Sequence, residues 1–370
     1  MGTEILTALA VLSALSGGLA VLLLIAEHFF ADYGDCAIDI NGGNRVLTVR
    51  GGASLLRSLN NEKILVPSAC GGRGSCGVCK VTVLDGGGPV LPTELPYLNP
   101  AELKANVRLS CQVKVRRNLR IRIPEEILSV RQYATTVEKI TDLTHDIKGM
   151  LFRLPPGETI SFRAGQYVQL QAPAYGDLTE PVWRAYSMSS TPVEHSAVEL
   201  CVRLVPNGIL TTYVFNHMKE GDTALLNGPY GDFFLREDSD REIICIAGGS
   251  GLAPIKSIVL DMVARKVTHR KTRFFFGART LSDLYYTDLF GQIQKENDFF
   301  EFIPALSAPD ERGTGGYEKG LITDVVFRHY EKFDNHEAYL CGSPGMIDAC
   351  IAALTKKGMP ENLIFYDKFS

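Results

Sequence analysis

Four cysteines have a spacing that could hold a metal centre. Cys70, Cys76 and Cys79 stand in the segment SACGGRGSCGVCK, and Cys111 follows in RLSCQVKV after 31 intervening residues. Zinc ribbons usually have two C-x2-C pairs, and this stretch has one. Disulfides do not fit if this part of the chain lies in the reducing cytosol. The chain has C-x5-C-x2-C and then a distant cysteine, one residue longer than the plant-type C-x4-C-x2-C form. This pattern favours a [2Fe–2S] cluster over zinc.

Glycines surround the three clustered cysteines. Their freedom to adopt positive φ lets the backbone wrap closely and aim N–H groups at the sulfurs; they are Gly71, Gly72, Gly74 and Gly77. Other cysteines stand singly, and we expect them to be small buried side chains; they are Cys36, Cys201, Cys245 and Cys350.

The segments around this loop predict the elements that position it. AIDI and RVLTV alternate on either side of NGGN, which predicts a β-hairpin. ASLLRSLNNEK predicts an amphipathic helix with Leu55, Leu56 and Leu59 on one face. CKVTVLDGG and RLSCQVKV predict strands, one leaving the loop and one carrying the fourth cysteine.

A second region contains residue types that bind a diphosphate. Short alternating strands over 161–203 predict a small antiparallel barrel. The helix predicted in NGILTTYVFNHMKEGD begins near Gly208, Thr211 and Thr212, and a helix N-terminus offers N–H groups to phosphate. Arg184 could add a charge-assisted contact, and Tyr186 could lie flat on an aromatic ring. Taken singly, these two residues also suit surface charge and core packing.

A third region has the pattern of a doubly wound parallel sheet. EIICIA is a continuous apolar run, typical of a strand buried on both faces, and GGSGLAP turns it into a helix. TRFFFGART and EAYLCGSPGM predict two more strand–turn–helix units. Ligands bind at the carboxyl ends of such strands, here 248–254, 277–280 and 341–346. Asp283 suits the free 2′-hydroxyl of NADH, whereas Arg279 nearby suits a 2′-phosphate.

The N-terminal segment predicts a membrane anchor. Ile5 to Ala26 is a run of 22 residues without charge, and a bilayer-spanning helix needs about 20. A cleaved signal peptide is the alternative, but no Lys or Arg precedes the run. The 370 residues suggest two or three domains, and a net charge of −4 gives no reason to expect nucleic acid as a partner.

The order of these motifs resembles the ferredoxin–NADP⁺ reductase superfamily with an N-terminal ferredoxin domain. Two branches share this layout: soluble reductase components of bacterial oxygenases, and the F subunits of the Na⁺-translocating NADH:quinone oxidoreductases. The anchor is similar to the second branch, as are SACGGRGSCGVCKVTV, LPTEL, RLSCQVKV and IPEEI. The segment between QAPAYGD and VWRAYS is shorter than the insertion typical of that branch.

The resemblance implies four segments and their cofactors. They are a transmembrane anchor at 1–30, a β-grasp [2Fe–2S] ferredoxin domain at 34–130, an antiparallel β-barrel that binds FAD at 131–237, and an α/β doubly wound domain that binds NADH at 238–370. The matched motifs also imply roles for single residues. The cluster ligands would be Cys70, Cys76, Cys79 and Cys111. At the flavin, the resemblance implies Arg184, Gly208, Thr211 and Thr212 at the FAD diphosphate, Tyr186 against the isoalloxazine, Ser187 near the reactive flavin nitrogen and Phe369 over the other flavin face. For the nucleotide, it implies Gly249 and Gly251 admitting NADH, and Cys341 and Gly342 near the nicotinamide.

The resemblance also implies the activity. NADH would reduce FAD by hydride transfer, and single electrons would pass to the cluster and on to a membrane partner in a quinone reductase complex. The protein would span the inner membrane once, with its catalytic domains in the cytoplasm, where NADH is found. Two alternatives are a tethered reductase that serves an oxygenase or another soluble acceptor, and an electron-relay or assembly subunit that does not oxidise NADH.

Overall fold

The computed structural model describes residues 10–22, 33–308 and 316–369. The chain divides into two compact units. The first unit comprises Met1–Ser68 and Gly72–Ser129, and the second comprises Ala69–Gly71 and Val130–Ser370.

Residues 10–22 form a helix, here called α1. Within the ranges that the structure describes, no helix is both long enough and apolar enough to cross a bilayer. The predicted anchor runs from Ile5 to Ala26, and its residues 5–9 and 23–26 lie outside those ranges. The anchor therefore stays a prediction.

The first unit contains the β-grasp arrangement that the family resemblance implies. Its five-stranded sheet has the order β2-β1-β5-β3-β4, with β1 and β5 parallel and the other neighbours antiparallel. The strands are β1 Asp35–Ile40, β2 Arg45–Arg50, β3 Lys80–Asp85, β4 Val107–Leu109 and β5 Leu119–Arg122, and the helices are α2 Leu55–Asn61, α3 Pro100–Lys104 and α4 Glu125–Leu128. The hairpin predicted around NGGN is β1–β2.

Helix α2 shows why this sequence folds locally as predicted. The Ser54 side chain caps its N-terminus by accepting a hydrogen bond from the backbone N–H of Arg57. Leu55, Leu56 and Leu59 are buried in the core of the unit, as the apolar spacing indicates. Helix and sheet thus share one core, from which the cysteine loop emerges.

The second unit begins with a six-stranded antiparallel barrel of order β10-β7-β6-β11-β8-β9. A bridge between Met188 and Leu200 closes it, and Ser189 N donates to Glu199 O at 2.7 Å beside that bridge. The elements are β6 Arg131–Asp142, β7 Ile147–Arg153, β8 Tyr167–Ala172, β9 Val182–Ser187, β10 Ala197–Arg203, α5 Ile209–Asn216 and β11 Thr223–Tyr230. The predicted antiparallel barrel is confirmed.

The rest of this unit is a six-stranded sheet in which all neighbours are parallel, in the order β15-β14-β13-β12-β16-β17. Its elements are β12 Glu242–Gly248, α6 Leu252–Ala264, β13 Thr272–Ala278, α7 Thr287–Glu296, β14 Phe300–Leu306, β15 Glu318–Lys319, α8 Ile322–His329, β16 His336–Gly342, α9 Pro344–Lys356 and β17 Ile364–Lys368. The predicted doubly wound α/β fold is confirmed.

Strand β12 lies at the centre of this sheet. Ile243 and Cys245 belong to the core on one face, and Ile244 and Ile246 belong to the core on the other. The chain runs outward from β12 in one direction and returns to its other side with β16. This reversal is the topological switch point, the usual place for a dinucleotide in an open α/β sheet.

Candidate cofactor sites

The cysteine loop lies between α2 and β3. Cys79 is buried, whereas Cys70, Cys76 and Cys111 are half-buried. Cys70 is one of the three residues grouped with the second unit, and the other three cysteines belong to the first. The four singly placed cysteines, Cys36, Cys201, Cys245 and Cys350, are buried as predicted.

Positive φ angles shape this loop. Gly71, Gly72, Gly74 and Gly77 have φ of +68°, +87°, +77° and +70°. Ser68 Oγ accepts a hydrogen bond from Gly72 N at 2.8 Å, which closes a turn. A Cβ on Gly77 would lie 2.9 Å from the Tyr97 side chain. The loop therefore needs glycine both for its backbone and for its close packing.

The pair Cys79 and Cys111 suits one iron of a two-iron cluster. Ser110 N donates to Cys79 O at 2.8 Å, which ties the loop to the end of β4. The prediction of a strand at Cys111 was wrong: β4 ends at Leu109, and Cys111 lies in the turn that follows. Two causes raise the pKa of Cys79: the larger is a hydrogen bond with the Cys111 thiol, and the second is burial. Among the described residues, no three His, Cys, Asp or Glu side chains surround a single ion position. A [2Fe–2S] cluster takes two protein ligands on each iron, and the paired thiols of Cys79 and Cys111 match that number.

A buried ion pair supports the strand next to Cys111. Arg108 Nη2 lies 2.6 Å from Glu94 Oε2, and both side chains are almost wholly buried. Glu94 Oε1 also accepts from Leu109 N at 2.9 Å. Burial raises the pKa of Glu94, but hydrogen bonds from Arg108 and from backbone N–H groups outweigh it and bring the pKa below its usual value. The segment LPTEL contributes to the family resemblance, but no sequence pattern predicted this ion pair.

Strand β9 carries three of the predicted flavin residues. Arg184 and Tyr186 are half-buried and stand two residues apart, so they share a face of the strand. Arg184 Nη1 donates to Trp183 O at 2.7 Å. Ser187 is buried at the end of the strand. The structure thus places a guanidinium, an aromatic ring and a hydroxyl along four consecutive residues at the barrel edge.

The N-terminus of α5 is the second part of this site. Gly208 is its N-cap and has no side chain to cap the helix, while Thr211 Oγ1 donates to Gly208 O at 3.2 Å. Thr211 is buried, and its Oγ1 accepts from Val205 N at 3.2 Å, so this hydroxyl shapes the preceding loop. Thr212 is half-buried. The open first turn is the kind of place where backbone N–H groups bind phosphate.

At the switch point, the ends of β12 and β16 meet. A Cβ on Gly251 would lie 2.2 Å from Cys341 O, so only glycine fits there. Gly249 has φ of +56° and its carbonyl accepts from Tyr285 Oη at 2.9 Å. Cys341 is fully buried, and burial raises the pKa of its thiol well above the ordinary value. Gly342, with φ of +147°, continues this edge.

The C-terminal strand brings the barrel and the sheet together. Phe369 N donates to Gly342 O at 2.9 Å, which ties the terminal aromatic to the switch point. Ser187 Oγ donates to Asp367 Oδ2 at 3.4 Å. Burial, reinforced by Asp232, raises the pKa of Asp367 to about 6. Asp367 was not among the predicted site residues, although strand alternation puts it on the same face as Phe369.

Asp283 has a local structural role. With Thr280 it forms a capping box: Asp283 Oδ2 accepts from Thr280 N at 2.9 Å and from Thr280 Oγ1 at 2.8 Å. Its Oδ1 lies 3.6 Å from His145 Nδ1. The cap occupies one carboxylate oxygen, and the predicted contact with a ribose stays a prediction.

A buried polar cluster joins the barrel to α6. Lys256 Nζ lies 2.6 Å from Glu199 Oε2, and Tyr286 Oη donates to Glu199 Oε1 at 2.5 Å. Ser257 Oγ donates to Ser190 O at 2.6 Å. These contacts fix the sheet against the barrel within the second unit. They join residues distant in sequence, and no local pattern signalled them.

Fold and sites together define a class of protein: a reductase that combines flavin, nicotinamide nucleotide and an iron–sulfur centre. Three family models match in this order: the 2Fe-2S iron-sulfur cluster binding domain over residues 38–116, the oxidoreductase FAD-binding domain over 134–235 and the oxidoreductase NAD-binding domain over 245–351.

Relatives with curated names narrow the class. The chain is 36% identical to the F subunit of the Na⁺-translocating NADH-quinone reductase of Pseudomonas aeruginosa, covering 100% of this chain and 99% of the relative. It is 35% identical to the corresponding protein of Serratia proteamaculans, with 99% of each covered. The chain belongs to the family of F subunits of the Na⁺-translocating NADH-quinone reductases.

Solved structures with the same fold include oxygenase reductases. The Amycolatopsis cytochrome P450 reductase GcoB has a TM-score of 0.72 at 30% identity, covering 90% of this chain and 98% of that one. The ferredoxin reductase in carbazole 1,9a-dioxygenase has a TM-score of 0.68 at 27% identity, covering 91% and 99%.

Proposed function

We propose that this chain is the NADH-oxidising subunit of a membrane-bound, Na⁺-translocating quinone reductase complex. When bound, FAD accepts a hydride from NADH and passes single electrons to a [2Fe–2S] cluster. The observation that carries the proposal is the convergence at the switch point, where Ser187 of the barrel meets Asp367 of the terminal strand at 3.4 Å. Family membership supports the quinone reductase complex as the setting.

The proposed segments are 1–30 as anchor, 34–130 for the cluster, 131–237 for FAD and 238–370 for NADH. Support comes from the three family models, whose matches over 38–116, 134–235 and 245–351 each fall within one segment. The three sheets support the same division, because each is built from strands of a single segment.

The barrel residues bind and orient FAD. Arg184 neutralises the diphosphate, and the backbone N–H groups after Gly208 donate to it, with Thr212 beside them and Thr211 holding the loop. Tyr186 packs against the flavin ring. Support comes from the half-buried side chains of β9 and from the open first turn of α5.

The switch-point residues bind the nicotinamide nucleotide. Gly249 and Gly251 let the nucleotide approach the backbone, and the fully buried Cys341 and its neighbour Gly342 line the nicotinamide side. With FAD bound, Phe369 would cover the flavin ring and exclude water, and it would have to move aside for the nicotinamide. Its backbone bond to Gly342 O at 2.9 Å supports this position.

With FAD bound, Ser187 and Asp367 would bind and release a proton near the flavin. Ser187 Oγ donates to Asp367 Oδ2, so the hydroxyl is held in one orientation. A carboxyl group with a pKa of about 6 exchanges its proton readily near neutral pH. Asp283 is proposed to select NADH over NADPH through its carboxylate charge.

The cluster ligands are Cys70, Cys76, Cys79 and Cys111. The glycine-rich loop and the paired thiols of Cys79 and Cys111 support this set. The anchor at residues 5–26 holds the protein in the inner membrane, with the catalytic segments on the cytoplasmic side. Its partners are membrane-embedded subunits of the complex that accept the electrons.

The alternative function is a tethered reductase for an oxygenase. It is favoured by the likeness to GcoB and to the carbazole dioxygenase reductase over about nine-tenths of this chain. The likeness to the Pseudomonas quinone reductase relative extends over the whole chain and at higher identity, which favours the quinone reductase.

Purification of the full chain in mild detergent tests the proposal. We expect NADH-dependent reduction of ferricyanide, bound FAD, iron with acid-labile sulfide, and co-purification of membrane subunits with quinone reductase activity. A preparation that binds FAD and iron but does not oxidise NADH would contradict it and favour an electron-relay role. Co-purification with an oxygenase would favour the alternative.

A further inference from the structure

A side-chain amide lies against the sulfur of one proposed cluster ligand. Gln112 Nε2 donates a hydrogen bond to Cys111 Sγ at 3.5 Å. Thr93 Oγ1 in turn donates to Gln112 Oε1 at 3.0 Å. A chain of hydrogen bonds therefore runs from the hydroxyl through the amide to the sulfur, and all three residues belong to the first unit.

The sulfur determines which end of the amide faces it, and Thr93 holds the other end. The NH₂ group of Gln112 points at Cys111, and the Thr93 hydroxyl donates to the amide oxygen on the far side. A metal-bound thiolate accepts hydrogen bonds and has no proton to donate. A reversed amide would therefore place its oxygen against the negative sulfur, and the hydrogen-bond network disfavours that orientation.

The cysteine loop leaves room for this amide. Gly74 has φ of +77°, and a Cβ at this position would lie 2.5 Å from Gln112 Nε2. The backbone of Gln112 is fixed as well, because its N–H donates to Leu109 O at 2.8 Å. Gly74 thus serves two purposes: it allows the turn, and it leaves space for the donor.

We propose that Gln112, oriented by Thr93, sets the reduction potential of the [2Fe–2S] centre. The inference rests on the proposed function of this unit as a cluster carrier. Reduction by one electron makes the centre and its sulfur ligands more negative. An N–H donor at Cys111 Sγ stabilises the reduced form more than the oxidised form and so raises the potential. Gln112 forms or breaks no bond in this step and is a tuning residue, not a ligand.

The test is a redox titration of the purified full-length holoprotein. Dithionite supplies single electrons through mediators, and the EPR signal of the reduced cluster is followed. Gln112→Leu removes the donor, and we expect about a tenfold lower equilibrium constant for reduction, which is about 59 mV for a one-electron couple. Thr93→Val frees the amide and should shift the potential in the same direction by less.

Charge variants separate tuning from a merely structural role. Gln112→Glu replaces the donor with a negative group and should lower the potential more than Gln112→Leu does. Gln112→Lys keeps a donor and adds positive charge, so its potential should be no lower than that of the wild type. Gln132→Leu, an equal change on β6 in the second unit, is the matched control and should leave the potential unchanged.

Iron and labile sulfide are measured in every variant. A wild-type protein without iron would contradict the proposed function itself, independently of Gln112. Full cluster content with a wild-type potential in both Gln112→Leu and Thr93→Val would overturn the inference. If Gln112→Leu loses iron, Thr93→Val decides: a lowered potential supports the inference, and an unchanged potential overturns it.

Discussion

At the scale of single residues, the carboxyl group of Asp367 lies where its charge is poorly solvated. Its pKa rises from an ordinary 3.8 to about 6, chiefly through burial. Between these values the folded chain binds more protons at this site than the unfolded chain, so the free energy of unfolding falls as the pH rises from about 4 to about 6. Asp367→Asn removes this dependence. In flavin-free protein, we expect the melting temperature of the variant to rise relative to the wild type over that range.

The control is Asp298→Asn, which changes an exposed aspartate in the same unit. Its melting temperature should follow that of the wild type at every pH. A difference between wild type and Asp367→Asn that stays constant from pH 4 to pH 7 would show that the Asp367 pKa is not raised.

A second prediction at the residue scale concerns Phe369, whose ring must leave the flavin when the nicotinamide binds. Aromatic stacking is worth about 0.5–1.5 kcal/mol, so Phe369→Ala should tighten apparent NAD⁺ binding about 2- to 10-fold. Discrimination against NADPH should also relax. Spectral titration of the oxidised flavoprotein measures the affinity, and Phe369→Tyr, which keeps a ring, is the control. If affinity and flavin spectrum are both unchanged in the alanine variant, Phe369 is only a packing residue.

Site residues could be predicted from the sequence where they belong to a recognisable backbone motif. Gly74, Gly249 and Gly251 stand in glycine-rich turns that positive φ or close packing requires. Asp367 and Gln112 were not predicted, because their roles depend on contacts with residues distant in the sequence. Ser187 and Asp367 are 180 residues apart, and no spacing rule joins them.

At the scale of elements, the Glu94–Arg108 pair holds the strand that leads to Cys111. Glu94→Gln leaves the buried guanidinium of Arg108 without a compensating charge. We expect the free energy of unfolding of the first unit to fall by about 3–5 kcal/mol, since breaking a buried ion pair on one side is costly. Loss of cluster absorbance during urea unfolding reports the transition.

The same change at an exposed pair is the control. Glu102 and Lys80 lie 2.7 Å apart with side chains about a quarter and a third exposed. Such pairs contribute about 0–1 kcal/mol, so Glu102→Gln should have a small effect. Equal effects of the two variants would contradict a structural role for the buried pair.

Elements with a strong local pattern were predictable from the sequence. The NGGN hairpin, helix α2, strand β12 and the terminal strand β17 all occur where alternation or apolar runs indicated them. Short elements such as α3 and β15 were not predicted, because five and two residues are too few to show a period.

At the scale of the whole molecule, sequence similarity over the full length separates the quinone reductase F subunits from the oxygenase reductases, which share the same fold. Alignment to the Pseudomonas relative spans 407 positions against the 370 residues of this chain, so the relative carries residues that this chain lacks. The segment after QAPAYGD is shorter than is typical of that branch, which agrees with the smaller number of residues in this chain. Fold alone does not separate the branches, since oxygenase reductases share it at TM-scores of 0.72 and 0.68.

The central claim is that electrons from NADH reach the flavin first and then the cysteine-bound cluster. Anaerobic stopped-flow mixing of NADH with the wild type and with Cys76→Ala tests it most directly, with flavin absorbance and cluster EPR as separate readouts. In the wild type, flavin bleaching should precede the EPR signal of the reduced cluster. In Cys76→Ala, iron and the EPR signal should be lost, while FAD binding and flavin bleaching keep their wild-type extent and rate. Unchanged iron in this variant would contradict the ligand set, and a cluster reduced before or without the flavin would contradict the electron path.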